Sequence, residues 1–269
     1  MNNYKREKYC INCSFKKKLY LCKMKALRYI GEYLLLMRRV FSRPIKMSYF
    51  RKQLIDNINS LGLDSLLIVA VISVFMGAVL VIQTALQAEG PWIPTWTIGF
   101  VVRQSVVLEF SPTIISLFLA GKIGSSIASE IGTMKVTEQI DALETMGINS
   151  ASHLILPKIV ACAIVNPILV IISIFLCLIG GWFTCRFASP IPPEQYVEGL
   201  LAFFRAYDVY YALVKTFVFA IVIASVSGFC GYRAKGGALE VGRASTMAVV
   251  NSSFSLLFFN VLLTKIFLG

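Results

Sequence analysis

Apolar residues run along this chain in five long blocks, from about Leu63 to Leu86, Ile98 to Ile127, Leu154 to Phe183, Val209 to Tyr232 and Ser245 to Leu268. At a rise of about 1.5 Å per residue, each block as a helix is long enough to cross a bilayer core of about 30 Å. Ahead of them, Ile30, Tyr33, Leu34, Met37 and Phe41 repeat at helical spacing, with Arg28, Glu32 and Arg39 off that stripe. This pattern predicts an amphipathic helix over 26–41 lying in the membrane interface, or docked on the bundle, and stopped at Arg43-Pro44. Glu89-Gly90-Pro91-Trp92-Ile93-Pro94 reads as a turn, with Trp92 and Trp96 at the level of an aromatic belt. Asn166-Pro167 marks a kink in the third block, which Ser189-Pro190-Ile191-Pro192-Pro193 ends.

The reading is an all-α integral membrane protein with five transmembrane helices. Its organisation is a basic tail (1–25), an interfacial-helix region (26–60) and a five-span domain (61–269). Composition agrees: 57% of the 269 residues are hydrophobic and 15% charged, where soluble domains hold closer to a quarter charged. The net charge of +12 resides entirely in residues 1–60, which hold 15 Lys/Arg against three acids; the remainder balances at 11 of each. A basic flank before the first span keeps the N-terminus in the cytoplasm and faces anionic lipid; nucleic-acid binding is the weaker reading beside so much apolar sequence. Lys122, Lys135 and Lys158 after span two, and Arg233, Lys235 and Arg243 after span four, put those loops in the cytoplasm too. The C-terminus then ends on the far side.

Little here carries chemistry. Cys162, Cys177, Cys185 and Cys230 fall in or near apolar runs. Cys10 and Cys13 form a C-x-x-C in the tail near Cys22, but with no second pair or nearby His no metal site is expected. The N-terminus lacks the apolar core and cleavage site of a signal peptide. One histidine, His153, is present, and no nucleophile–His–acid set stands out, so no catalytic residue is assigned.

One polar stretch interrupts the apolar sequence. Glu130, Glu138, Asp141 and Glu144 lie within Ala128 to Ile148, beside one Lys135. On a helix from Thr137 to Gly147, Thr137, Glu138, Asp141, Glu144 and Thr145 share one arc, and Val136, Ile140, Leu143, Met146 and Gly147 the opposite one. The three-turn helix is too short to span, and Gly147 is placed to end it. It reads either as a solvated surface helix or as a docking element for a soluble partner. Just upstream, Ala120, Gly124, Ala128 and Gly132 recur every four residues, a small-residue stripe for close helix packing within the chain or with a second copy.

The stretch AGKIGSSIASEIGTMKVTEQIDALETMGI, followed by LPKIVACAIVNPIL, resembles the MlaE family of ABC-transporter permeases, the membrane subunits of MCE-type lipid transport systems. The likeness runs from about Lys25 to Gly269. It implies a homodimeric permease in the bacterial inner membrane, paired with a cytoplasmic ATPase that binds ATP and Mg, and with an MCE-domain protein on the periplasmic side. The implied substrate is phospholipid moved between inner and outer membranes. No cofactor is implied in this chain. The resemblance makes Val136 to Met146 the coupling helix, with Val136, Glu138, Gln139, Asp141, Ala142, Glu144 and Met146 as ATPase-docking candidates.

Where many members carry Arg-Glu-x-Gly-Pro, this chain has Leu108-Glu109-Phe110-Ser111-Pro112. An acid at mid-depth is a functional-site candidate by default, so Glu109 and Pro112 join Asn251 and Ser255 of span five as candidates for the lipid pathway. Arg103 lies on a different helix face and is no obvious partner for Glu109. Asn260 and Thr264 repeat the i, i+4 polar spacing of Asn251 and Ser255, for which helix–helix hydrogen bonding is the default. The lipid cavity is expected at the dimer axis, among spans one, two and five. The family-like text begins at Met24, the expected start, with residues 1–23 an overlong gene call. Two other classes stand beside the permease: a stand-alone channel or secondary transporter for lipid or solute, and a lipid-modifying membrane enzyme using Glu109 or His153.

Overall fold

A computed structural model describes residues 27–42, 47–88, 94–188 and 191–268. The basic tail with Cys10, Cys13, Cys22 and Met24, the Arg43-Pro44 break, Trp92 and the Ser189-Pro190 pair lie outside the described residues. Among the described residues every regular element is helical. These are α1 (27–41), α2 (Met47–Gln87), α3 (Trp96–Ser105), a π-helical segment (Val106–Ile115), α4 (Ser116–Val136), α5 (Gln139–Thr145), α6 (Ser150–Ala188), α7 (Pro193–Leu201), α8 (Ala206–Tyr232) and α9 (Ala238–Leu268).

Among the described residues five helices are long and apolar enough to cross a membrane: α2, the continuous run Trp96–Val136, α6, α8 and α9. All five exceed the roughly 20 residues a bilayer requires, three of them by nearly twofold. The second span therefore does not stop near Ile127 as its hydropathy suggests; it carries Glu130 and Lys135 onward to Val136. The third starts at Ser150 rather than Leu154, which places Lys158 within α6 instead of in a loop. The helix there runs through both Pro157 and Pro167.

α2 packs along α6. Backbones meet so closely that a Cβ on Gly77 would collide with the Cys177 carbonyl, and one on Gly180 with that of Val74. The small-residue stripe of α4 is occupied within its own chain. Gly124 faces Ser227 of α8 and Ser252 of α9, Ala128 meets Gly231, and Gly132 meets Val241 and Ala234. Ile123, Ile127 and Ile131 of α4, Ile155 of α6 and Phe229 of α8 fill the main core.

α1 lies against this core through Leu36 (8% exposed) and Val40 (0% exposed), with Tyr29 and Tyr33 edge-on to Phe229. Of the apolar stripe, Tyr33 and Met37 pack on the core, while Ile30, Leu34 and Phe41 point outward, as a face lying in the membrane interface would. α1 thus has two apolar faces, one for the bundle and one turned away from it.

The short α7 was not anticipated. Pro193 opens it, where a missing N–H costs nothing. Its C-terminal carbonyls, left without intrahelical donors, are collected by Arg103 of α3: Nη1 donates to Leu200 O and Ala202 O at 2.8 Å each, and Nη2 to Phe203 O at 3.3 Å. Exposed side chains such as Phe75 of α2, Phe175 of α6, and Phe254 and Phe258 of α9 form broad apolar outer faces. On a soluble domain such faces would drive aggregation; on a spanning bundle they face lipid or another membrane helix.

Candidate functional site

The polar stretch folds as two pieces. α4 ends where the Thr137 N–H and Oγ1 both donate to the Thr133 carbonyl at 2.9 Å. Glu138 then takes a left-handed conformation (φ 60°), which turns the chain sharply into α5. Gly147 (φ 76°) ends it, and the Ile148 N–H donates back to Leu143 O at 3.1 Å, the closing bond of a Schellman turn.

Ile140 is fully buried and anchors α5, with Leu143 half-buried beside it. The acids do not form the free arc drawn by a single helical wheel. Glu144 Oε1 accepts from Ser150 Oγ at 2.8 Å and Tyr232 Oη at 2.9 Å; these hydrogen bonds hold its carboxyl below the usual carboxylate range. Asp141 pairs with Lys135 at 2.6 Å. Glu138, Gln139, Ala142 and Met146 are exposed, Met146 at 66% although the wheel put it on the buried arc, and Val136 is half-buried as the last residue of α4. The left-handed step at Glu138 breaks the 100° phase, so residues before and after it do not share one wheel.

A second polar cluster lies inside the spans. Glu109, in the π-helical segment, pairs with Lys215 of α8 at 2.9 Å. Lys215 is fully buried; the Glu109 side chain is 43% exposed. Thr264 Oγ1 donates to Glu109 Oε1 at 3.3 Å, and Asn260 Nδ2 to Oε2 at 3.4 Å. Thr113 Oγ1 completes the set at 3.2 Å, and Tyr211 and Thr264 share a hydroxyl contact of 2.9 Å.

Pro112 explains the local register. It has no N–H, so the Leu108 carbonyl four residues earlier loses its α-helical donor. The π register leaves that carbonyl turned toward α8, and Lys215 Nζ donates to it at 3.1 Å. One ammonium thus serves both a carboxylate and a carbonyl. Arg103, as expected, is occupied elsewhere.

The third feature is an apolar groove of about 550 Å³ between α1, α8 and α9. Val218, Val222 and Val226 of α8 line it, with Ile30 of α1 and Phe254 and Phe259 of α9. Asn251 and Ser255 line it; Glu109 and Pro112 do not. The four lipid-pathway candidates therefore fall into two places. Asn251 Nδ2 donates to Tyr29 Oη at 3.2 Å, and Ser255 Oγ donates within its own helix to Asn251 O at 2.8 Å. Spans one and two contribute nothing to this groove within one copy of the chain.

A family model described as Permease MlaE matches residues 54–266. The chain is an MlaE-family permease. It is 38% identical over 229 residues to a probable ABC transporter permease protein of Rickettsia bellii, covering 83% of this chain and 85% of the relative. A relative of the same name from Synechocystis is 32% identical over 226 residues, at 84% and 86% coverage. Another, from Pyropia yezoensis, is 33% identical over 203 residues, at 75% and 76%. As an ABC permease the chain is a multi-pass transport subunit rather than an enzyme, and its family implies a partner ATPase.

In this MlaE permease the sequence reading missed Lys215. The signal was available: it is the one charged residue between Asp208 and Arg233, in the middle of an apolar run. It also missed Tyr29 and Tyr33, whose hydroxyls reach Cys230 Sγ at 3.4 Å and Ser225 Oγ at 2.8 Å across about 200 residues of sequence. A further pair, buried Lys158 with half-exposed Glu130 at 2.5 Å, joins α6 to α4, with Asn57 of α2 at 3.3 Å from the same ammonium.

Proposed function

We propose that this permease is the membrane subunit of an ABC-type phospholipid transporter that moves lipid between the inner and outer membranes of a bacterium. The family match over residues 54–266 carries this reading. The chain works as a homodimer in the inner membrane, with the N-terminus and α5 cytoplasmic and the C-terminus periplasmic. The charge excess of the N-terminal 60 residues supports that orientation. A cytoplasmic ATPase binds ATP and Mg and docks at α5; an MCE-domain protein receives or delivers lipid on the periplasmic side. The Glu109–Lys215 cluster, with Pro112 shaping it, and the groove lined by Asn251 and Ser255 are the candidate stations on the lipid path.

The geometry of α5 refines the docking surface. Asp141 and Glu144 are committed within the chain, so Glu138, Gln139, Ala142 and Met146 are the groups presented outward. An exposed methionine beside a carboxylate suits a groove with an apolar floor and a basic rim on the ATPase. Glu138→Lys and Met146→Asp each leave the internal ties of α5 intact. Both are expected to reduce co-purification of the co-expressed ATPase and ATP-dependent transfer of phospholipid between vesicles. Unchanged co-purification and transfer in both variants would remove α5 from the interface. Lipid or solute movement by the lone chain, without ATPase or ATP, would favour a channel instead.

A further inference from the structure

We infer that the groove between α1, α8 and α9 holds one phospholipid of the leaflet next to α5, its phosphate against Arg233 and one acyl chain along α8. This rests on the phospholipid reading above and names the place where lipid is taken up from the bilayer.

Length is the first argument. Val218, Val222, Val226 and Phe229 line the groove along one face of α8, and Arg233 follows at the helix end. The fifteen helical steps from Val218 to Arg233 span about 22 Å, close to half of a bilayer about 40–45 Å thick with its headgroups. The groove is one leaflet deep.

The order of chemistry along it is the second argument. Its deep end is apolar, at Val218 and Phe259. Higher up, the Tyr29 hydroxyl and the Asn251 amide meet at 3.2 Å. At the mouth the Arg233 guanidinium lies 4.9 Å from the Tyr29 ring centroid and 5.5 Å from that of Phe229, both rings lining the groove. Acyl chain, glycerol ester and phosphate follow the same order in a phospholipid.

Charge is the third. Glu32 is shared by two guanidiniums: Arg28 Nε at 2.9 Å and Arg233 Nη2 at 3.2 Å. One carboxylate between two cations leaves a net positive mouth. Arg233 keeps 44% of its side chain exposed, with donors free for a planar, two-point contact to phosphate. The outer edges, Ile30 and Phe254, are 55% and 71% exposed, so the groove opens sideways toward the bilayer.

The test reconstitutes the full-length chain with its co-expressed ATPase in vesicles of phosphatidylethanolamine and phosphatidylglycerol. A trace of phosphatidylglycerol carries a diazirine in one acyl chain, and a parallel sample carries diacylglycerol with the same chain. After illumination, labelled peptides are mapped by mass spectrometry. The expected result is phospholipid labelling concentrated at Val222, Val226 and Phe254. In Arg233→Gln it falls about tenfold, the scale of one lost charge-assisted contact, and Arg233→Lys recovers part of it. Diacylglycerol labels the groove weakly and indifferently to Arg233. Ser255→Trp fills the groove without touching the Arg233 mouth, and should exclude the probe even where Arg233→Gln fails to fold.

Labelling spread evenly over Phe75, Phe175 and Phe254, or unchanged in Arg233→Gln and Ser255→Trp, overturns the proposal. So does cross-linking of these positions to a second copy or to another protein in place of lipid. The two readings separate cleanly. If the assembly transfers phospholipid while groove labelling ignores Arg233, only the groove site fails. If the groove labels as expected but no ATP-dependent transfer occurs, only the transport reading fails.

Discussion

At the residue scale, the Glu109–Lys215 pair shows how an ion pair inside a spanning bundle depends on which partner is buried. Lys215 is fully buried, while the Glu109 side chain is 43% exposed and also accepts from Thr113, Asn260 and Thr264. Removing the carboxylate leaves a buried ammonium with a carbonyl, Leu108 O, but no counter-charge; removing the ammonium leaves a partly exposed carboxylate beside the Thr113, Asn260 and Thr264 donors. Glu109→Ala is therefore expected to cost about 3–5 kcal/mol, the range for breaking a buried pair from one side. Lys215→Met should cost clearly less, and Glu109→Gln combined with Lys215→Met should recover most of the loss. Thermal unfolding of the three variants in nanodiscs checks the order. Equal losses from Glu109→Ala and Lys215→Met would mean that the hydroxyl and amide donors do nothing for the carboxylate.

At the element scale, the spans were legible because an uninterrupted apolar run about 20 residues long has few other uses. The end of α5 was legible too, since Gly147 is one of the few residues that adopts φ 76° without strain. What stayed hidden has a common physical cause. Hydrophobic periodicity separates apolar from polar faces, but in a bilayer the core face and the outward face are both apolar. Hence the stripe Ile30, Tyr33, Leu34, Met37 and Phe41 did not tell the two faces of α1 apart: Tyr33 and Met37 pack on the core with Leu36 and Val40, while Ile30, Leu34 and Phe41 turn outward. α7 was hidden for another reason: its proline-rich start reads as a terminator, and Arg103, which secures its far end, is about a hundred residues away in sequence.

The π-helical segment belongs to this scale as well. Pro112 was visible, but its consequence for Leu108 requires knowing that Lys215 stands opposite. Pro112→Ala restores an N–H and favours the α register, and a one-residue change of register turns a helix by about 100°. Glu109 then leaves Lys215. The Glu109–Lys215 coupling energy in a double-mutant cycle should fall below about 1 kcal/mol in the Pro112→Ala background. Coupling that survives unchanged would show that the pair, and not the proline, sets the register.

At the scale of the whole molecule, α8 joins the two polar zones. Its Tyr232 hydroxyl donates to Glu144 of α5, and its Lys215 holds Glu109 seventeen residues away, about 26 Å along the helix. α8 runs unbroken between them, and its face toward α4 meets small residues such as Gly124 and Ala128. A closely packed helix transmits a push along its length better than it absorbs one. If the ATPase docks at α5 as proposed, a displacement of α5 has a rigid route to the Glu109 cluster. Tyr232→Phe removes the hydroxyl that ties α8 to Glu144, while Ile140 and the Ser150 bond continue to anchor α5. The ATPase should still co-purify and hydrolyse ATP. Phospholipid moved per ATP should fall several-fold, because the motor turns over without moving α8. A loss of hydrolysis in proportion to transport would instead place Tyr232 in the docking surface, and an unchanged ratio would send the coupling through another helix.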